Sequence, residues 1–165
     1  MSIQPIIQTL DKLVNVHKTL IQISEQKTEV LKEGSADKLQ SVLIEEQKFI
    51  PKVERAEKAR EEAVVNWFAD KELNDEEQTI TRILDLLANG VEKKQLEEVA
   101  TTLTKAIAQL KQREQLNQAL IQQSMQFINV SLNMLQPSMS QINYGRSKQN
   151  ETSRTREHSV FDSKA

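Results

Sequence analysis

Two histidines are the first residues to test for chemistry, and neither has company. His17 and His158 lie in different regions, with no acidic residue and nucleophile at a recognised spacing, and the chain carries no HExxH, phosphate-cradling glycine loop or nucleophile elbow. The carboxylate clusters Glu45-Glu46, Glu61-Glu62 and Asp75-Glu76-Glu77 join neighbours that do not face each other on a helix, so they read as solvated or capping residues. Cysteine is absent, which removes disulfides, thiolate metal sites and cysteine nucleophiles together. Asn150-Glu151-Thr152 matches the glycosylation tripeptide but is discounted for a cytoplasmic tail. The expectation is a protein that is not an enzyme and needs no cofactor or metal.

What remains is the chemistry of apolar surface, and helices must present it. With 28% charged and 4% aromatic residues, and only 3 Gly and 3 Pro in 165 residues, the composition is that of a helical bundle. The reading is all-α: an elongated antiparallel helical bundle or coiled coil with a long C-terminal helix and a disordered tail. Net charge is −2 with both signs interspersed, so nothing suggests a nucleic-acid footprint. Met1 is followed by no basic stretch or apolar signal core, and no run of about 20 apolar residues could insert in a membrane. A cytoplasmic protein is expected.

Helices are predicted over 3–33, 36–70, 75–88 and 91–135, together forming a bundle domain over 1–136. In the first, Ser2 caps, Pro5 is tolerated in the opening turn, and the stripe is Ile6, Leu10, Leu13, Val14, His17, Leu20, Ile21, Ser24 and Leu31. On that stripe His17 is expected to be a hydrogen-bonded core or boundary residue. Gly34 stops the helix and Ser35 caps the second, whose stripe is Leu39, Val42, Leu43, Ile50, Val53, Ala56, Ala59, Ala63 and Trp67. Trp67 reads as core or helix-end packing, and Pro51 as a kink rather than a break. Asn74 with Glu77 suggests a capping box for the third helix, which buries Ile80, Ile83, Leu84 and Leu87 and stops at Asn89-Gly90.

The fourth helix would be roughly 67 Å long at about 1.5 Å per residue. Leu96, Val99, Leu103, Ala106, Ile107 and Leu110 share one face, continued by Ile121, Met125, Ile128, Leu132 and Leu135. From Leu116 a second stripe arises: Leu116, Ala119, Leu120, Phe127, Val130 and Met134. Either three helices meet there in cross-section, or one face is left for a partner helix. Glu114 and Asn117 interrupt the continuous stripe, where burial would strand polar groups, so they are expected to divide a packed bundle from an open recognition segment. After Gln136 periodicity ends. The tail 137–165 carries five basic and three acidic residues and cannot offset its ordering entropy, so it is expected to be disordered, with Ile142/Tyr144 and Val160/Phe161 as docking points.

The run KQREQLNQALIQQSMQFINVSLNML, Lys111 to Leu135, resembles the C-terminal helix of FlgN-type flagellar export chaperones. KFIPKVERAEKAR, Lys48 to Arg60, resembles the family's second helix, with Glu57 and Arg60 matching a recurring Glu-x-x-Arg. Tyr144-Gly145 resembles a Tyr-Gly beyond the last helix, and the ending FDSKA resembles the Gram-positive branch.

The resemblance implies a cytoplasmic chaperone that binds the helical C-terminal regions of hook-associated (hook-filament junction) proteins, keeps them from premature assembly, and delivers them to the flagellar type III export gate. It assigns Leu116, Asn117, Leu120, Ile121, Ser124, Phe127, Ile128, Val130 and Met134 to client contact, and Tyr144 in the tail to docking on the gate membrane protein. A self-associating coiled coil, as a weak homodimer or a structural protein, and a regulatory adaptor are the alternatives.

Overall fold

The computed structural model describes residues 2–135, with side chains as far as residue 125. Four helices follow in order, α1 Gln4–Glu33, α2 Ala36–Asp70, α3 Ile80–Leu86 and α4 Val91–Leu135. By contact the chain divides into two compact units, Met1–Leu120 and Ile121–Ala165. Of the second, the structure describes the last turns of α4.

Local chemistry sets the ends of α1 and α2. Ser2 Oγ accepts from the Gln4 N–H at 3.1 Å, while Pro5 occupies the first turn, where its missing N–H breaks no bond. Gly34, at φ 74°, takes the left-handed conformation that a side chain would disfavour, and its N–H returns to the Val30 carbonyl. Ser35 Oγ then accepts from Lys38 N, opening α2. The result is a tight antiparallel hairpin.

α2 runs through Pro51 as a single helix, so the break alternative is excluded. Both Pro51 and Gln47, whose carbonyl loses its partner, are exposed, so water can replace the missing bond. At its other end α2 closes with Glu72 at φ 55°, a left-handed position usually given to glycine.

The third helix is shorter than expected. Residues 74–78 are non-helical, and Thr79, extended at φ −122° and ψ 160°, caps the helix by accepting from Arg82 N at 3.1 Å. Residues 74–78 carry no apolar side chain that a further helical turn would bury. Asp75 instead pairs with Arg82 at 2.8 Å across the cap.

Two reversals leave α1 and α4 parallel. Gln4 Nε2 donates to Gln95 Oε1 near the start of both helices, and twenty residues further along α1, Ser24 meets Asn117. The core joins Ile3, Ile6, Leu10, Leu13 and Val14 of α1, Val64, Trp67 and Phe68 of α2, Ile83 of α3, and Leu96, Val99 and Leu103 of α4. Trp67 and Phe68 meet edge to face with centroids 5.1 Å apart.

The seams follow a seven-residue period. On α2 the inward line is Leu39, Val42, Glu46, Phe49, Val53, Ala56, Arg60, Ala63 and Trp67, in alternating steps of three and four. Leu43, Ile50 and, on α4, Ile107, expected on the buried stripes, are exposed. Each falls one residue past a seam position, about 100° around the helix, and so turns toward solvent.

Phe68, with none of its surface exposed, is the largest wholly buried side chain among the described residues, and Phe68→Ala is expected to cost about 3–5 kcal/mol. Thr79→Ala removes one cap and is expected to cost about 1 kcal/mol. Urea unfolding followed by circular dichroism measures both.

Candidate functional site

The segment flagged by its second stripe begins on the last turn of the first unit. Leu116 is 44% exposed and Leu120 half-buried. In the second unit Ile121 is half-buried, Ser124 exposed, and Met125 60% exposed. For Phe127, Ile128, Val130 and Met134 only the helical backbone is described. Tyr144, the apolar islands and the rest of the expected disordered tail lie outside the described residues.

Asn117 departs from expectation. It is 1% exposed and turned onto α1, so its side chain offers nothing to a client. Its Nδ2 donates to the Ser24 carbonyl at 2.9 Å and to Ser24 Oγ at 3.0 Å, while Thr28 Oγ1 donates to its Oδ1 at 2.6 Å. Every polar group of the amide is satisfied, so burial strands none of them.

One turn back, Glu114 enters a second polar cluster. Lys27 Nζ donates to Glu46 Oε1 of α2 at 2.7 Å and to Glu114 Oε2 of α4 at 2.9 Å, so one ammonium ties three helices. Its side chain is 5% exposed, against 23% for Glu46 and 40% for Glu114. Glu46 is therefore part of the bundle and not, with Glu45, a solvated pair. At the edge of the layer Arg113 reaches Glu25 at 3.6 Å.

The sequence singles out neither Lys27 nor Thr28, and it reads Glu46 only as half of a solvated pair. A signal was present. In the alternating steps Ile3, Ile6, Leu10, Leu13, His17, Leu20, Ser24, Lys27, Leu31, the seam of α1 turns polar at Ser24 and Lys27, just as that of α4 does near Asn117.

The charges respond to their setting. Burial pushes the Glu46 carboxyl above its ordinary value against the pull of Lys27. Burial also acts upward on Glu114, but the hydrogen bond from the Lys27 ammonium and its charge help hold that carboxyl below the ordinary value. Burial would lower Lys27, yet its two carboxylate partners together raise it. Glu114 Oε1 is enclosed without a hydrogen-bond partner.

His17 is buried, with Nδ1 2.8 Å from the Leu13 carbonyl, as its place on the stripe suggests. Arg60 Nε meets Glu57 Oε2 at 2.8 Å, forming the Glu-x-x-Arg pair. Among the described residues no helix is long and apolar enough to cross a membrane, and no three His, Asp or Glu side chains gather as a metal site.

Lys27→Met leaves two carboxylates facing each other without their cation and is expected to cost about 1–3 kcal/mol, less than a fully buried pair because both carboxylates reach solvent. Asn117→Leu, which abandons the groups of Ser24 and Thr28, is expected to cost a similar amount, about 1–3 kcal/mol. Chemical denaturation of the two variants checks both values.

The FlgN protein family model matches residues 1–152. The uncharacterized protein YvyG of Bacillus subtilis (strain 168) is 32% identical over 165 residues, with the whole of both chains covered. No solved structure matches the chain. On a family match spanning all four helices and a relative aligned from end to end, the chain belongs to the FlgN family of flagellar proteins.

Proposed function

We propose that the chain is a cytoplasmic export chaperone whose clients are hook-associated proteins, and that α4 from Leu116 onward receives a client's helical C-terminal region. The observation that carries this reading is the change in α4 at Asn117. Before it, seam positions Leu96, Leu103 and Leu110 are apolar; at the same heptad position after it stand Asn117, Ser124 and Ser131. The other seam line, that of Val99 and Ala106, stays apolar at Leu120, Phe127 and Met134, and the position after it becomes apolar as well, giving the adjacent pairs Leu120-Ile121, Phe127-Ile128 and Met134-Leu135. A face that loses one of its two seam lines and widens past the other is suited to a different helical partner. Leu116 and Met125 are already open to solvent.

The client-contact set is Leu116, Leu120, Ile121, Ser124, Phe127, Ile128, Val130 and Met134, with Asn117 removed to the bundle. Covering a client's amphipathic helix keeps it from assembling early. Burying a large side chain contributes about 1.5–3 kcal/mol before association costs, so a few suffice for micromolar binding. Delivery to the type III export gate is assigned to the tail, with Tyr144 as the docking residue.

Leu120→Asp combined with Phe127→Asp is expected to weaken client binding at least about a hundredfold, or about 2.7 kcal/mol, while circular dichroism still reports a folded helical protein. Deleting Pro137 to Ala165 is expected to leave client affinity largely intact. Calorimetric titration with a client C-terminal segment measures both. Unchanged binding in the double variant would refute the reading. So would a tight dimer that persists without client, seen by sedimentation, and that the same substitutions disrupt.

A further inference from the structure

The layer around Lys27 does not balance. It sets one ammonium against two carboxylates contributed by two other helices, and both accept from the same nitrogen, at 2.7 and 2.9 Å. The groups facing the pair are Lys27 from α1, Glu46 from α2 and Glu114 from α4, with the Glu25–Arg113 pair at the edge joining α1 to α4. α3 packs at the opposite end, where Ile83 joins the core beside Phe68. With both carboxylates ionised the layer carries one uncompensated negative charge. It also leaves the enclosed Oε1 of Glu114 without a donor. A proton on Glu46 would answer both defects, supplying an O–H to Glu114 and leaving Lys27 and Glu114 as a balanced pair.

We propose that Glu46 and Glu114 hold one proton between them when the pH falls, and that taking it up clamps α4 onto the α1–α2 hairpin, making the layer an acid-strengthened latch. The proton enters from solvent through Glu46, whose side chain is 23% exposed, and no other bond changes. The directions of titration agree. Glu46 is raised by burial, so its ionised form penalises the folded state, and that penalty lifts as pH falls through the raised value. Glu114 is held low, so its contribution is present above the ordinary glutamate value and is lost only as pH falls through the lowered one. Lys27 is raised, and its contribution is constant until pH climbs past the ordinary lysine range. The latch is therefore tightest between the two glutamate values. Asn117, one turn beyond Glu114 with an amide that does not titrate, keeps α4 in place when the latch is slack.

Carboxyl-detected NMR titration of the full chain, with amide exchange corrected for the intrinsic effect of pH, tests the proposal. Glu46 is expected to titrate above ordinary glutamate and Glu114 below it. Exchange at the α4 amides of residues 110–117 is expected to slow several-fold as Glu46 protonates. Glu46→Gln, which keeps the donor and removes the charge, is expected to hold the slow exchange at every pH. In Glu114→Gln the Glu46 titration is expected to fall below its wild-type position, since the competing carboxylate is gone while Lys27 remains. Three results would overturn the latch: Glu46 titrating at or below the ordinary value, exchange that is unchanged or faster through its titration, or a Glu46→Gln protein that keeps the wild-type pH response.

Discussion

A lysine buried on a coiled-coil seam must be met by carboxylates or pull its helix out of register, and Lys27 is met from two directions. That requirement couples α1 to α2 and α4 at once. Apolar seams of Leu and Ile tolerate slippage by a heptad, because one apolar layer resembles the next. An ammonium that needs Glu46 and Glu114, beside an amide that needs Ser24 and Thr28, does not. Such layers usually contribute less stability than an apolar one of the same volume, so their value here lies in alignment. Everything toward the start of α1 packs as an ordinary core, and everything along α4 is counted from this point.

The alignment gives α4 two roles on one uninterrupted backbone. Up to Leu110 its seam is apolar and lies against α1. At Asn117 a buried amide is satisfied inside the bundle. After it one seam line carries Ser124 and Ser131, while the other keeps its apolar residues and gains an apolar neighbour one step further around the helix. A helix needs no hinge to change partners, since giving up one seam line and widening past the other re-aims and broadens its apolar face.

Much of this was legible in the chain. The helix spans of α1 and α2 followed from Ser2, Gly34, Ser35 and the apolar periodicity, because caps are local chemistry. α3 is shorter than its sequence suggests, because Asn74 and Glu77 imitate a capping box while Thr79 makes the hydrogen bond. Leu43, Ile50 and Ile107 were placed inside by a 3.6-residue period that does not separate a seam from its neighbour; the seven-residue count does. Glu114 and Asn117 were recognised as an interruption, but not their partners. Naming Lys27, Thr28 and Ser24 required knowing that α1 and α4 run parallel with Ser24 level with Asn117, a long-range alignment that neither segment carries alone.

The parallel pairing of α1 with α4 also sets an order of events during synthesis. α1 and α2 are neighbours in sequence, and Lys27 finds Glu46 only 19 residues later. Its second carboxylate, and the amide that holds Ser24 and Thr28, are made 87 to 93 residues after their α1 partners. At about 5–20 residues per second the ribosome needs on the order of 5 to 20 s to make them. Throughout that interval the side of α1 bearing Val14, Ile21 and Thr28 has no native cover. The newly made hairpin is thus itself an exposed amphipathic surface before its own last helix arrives.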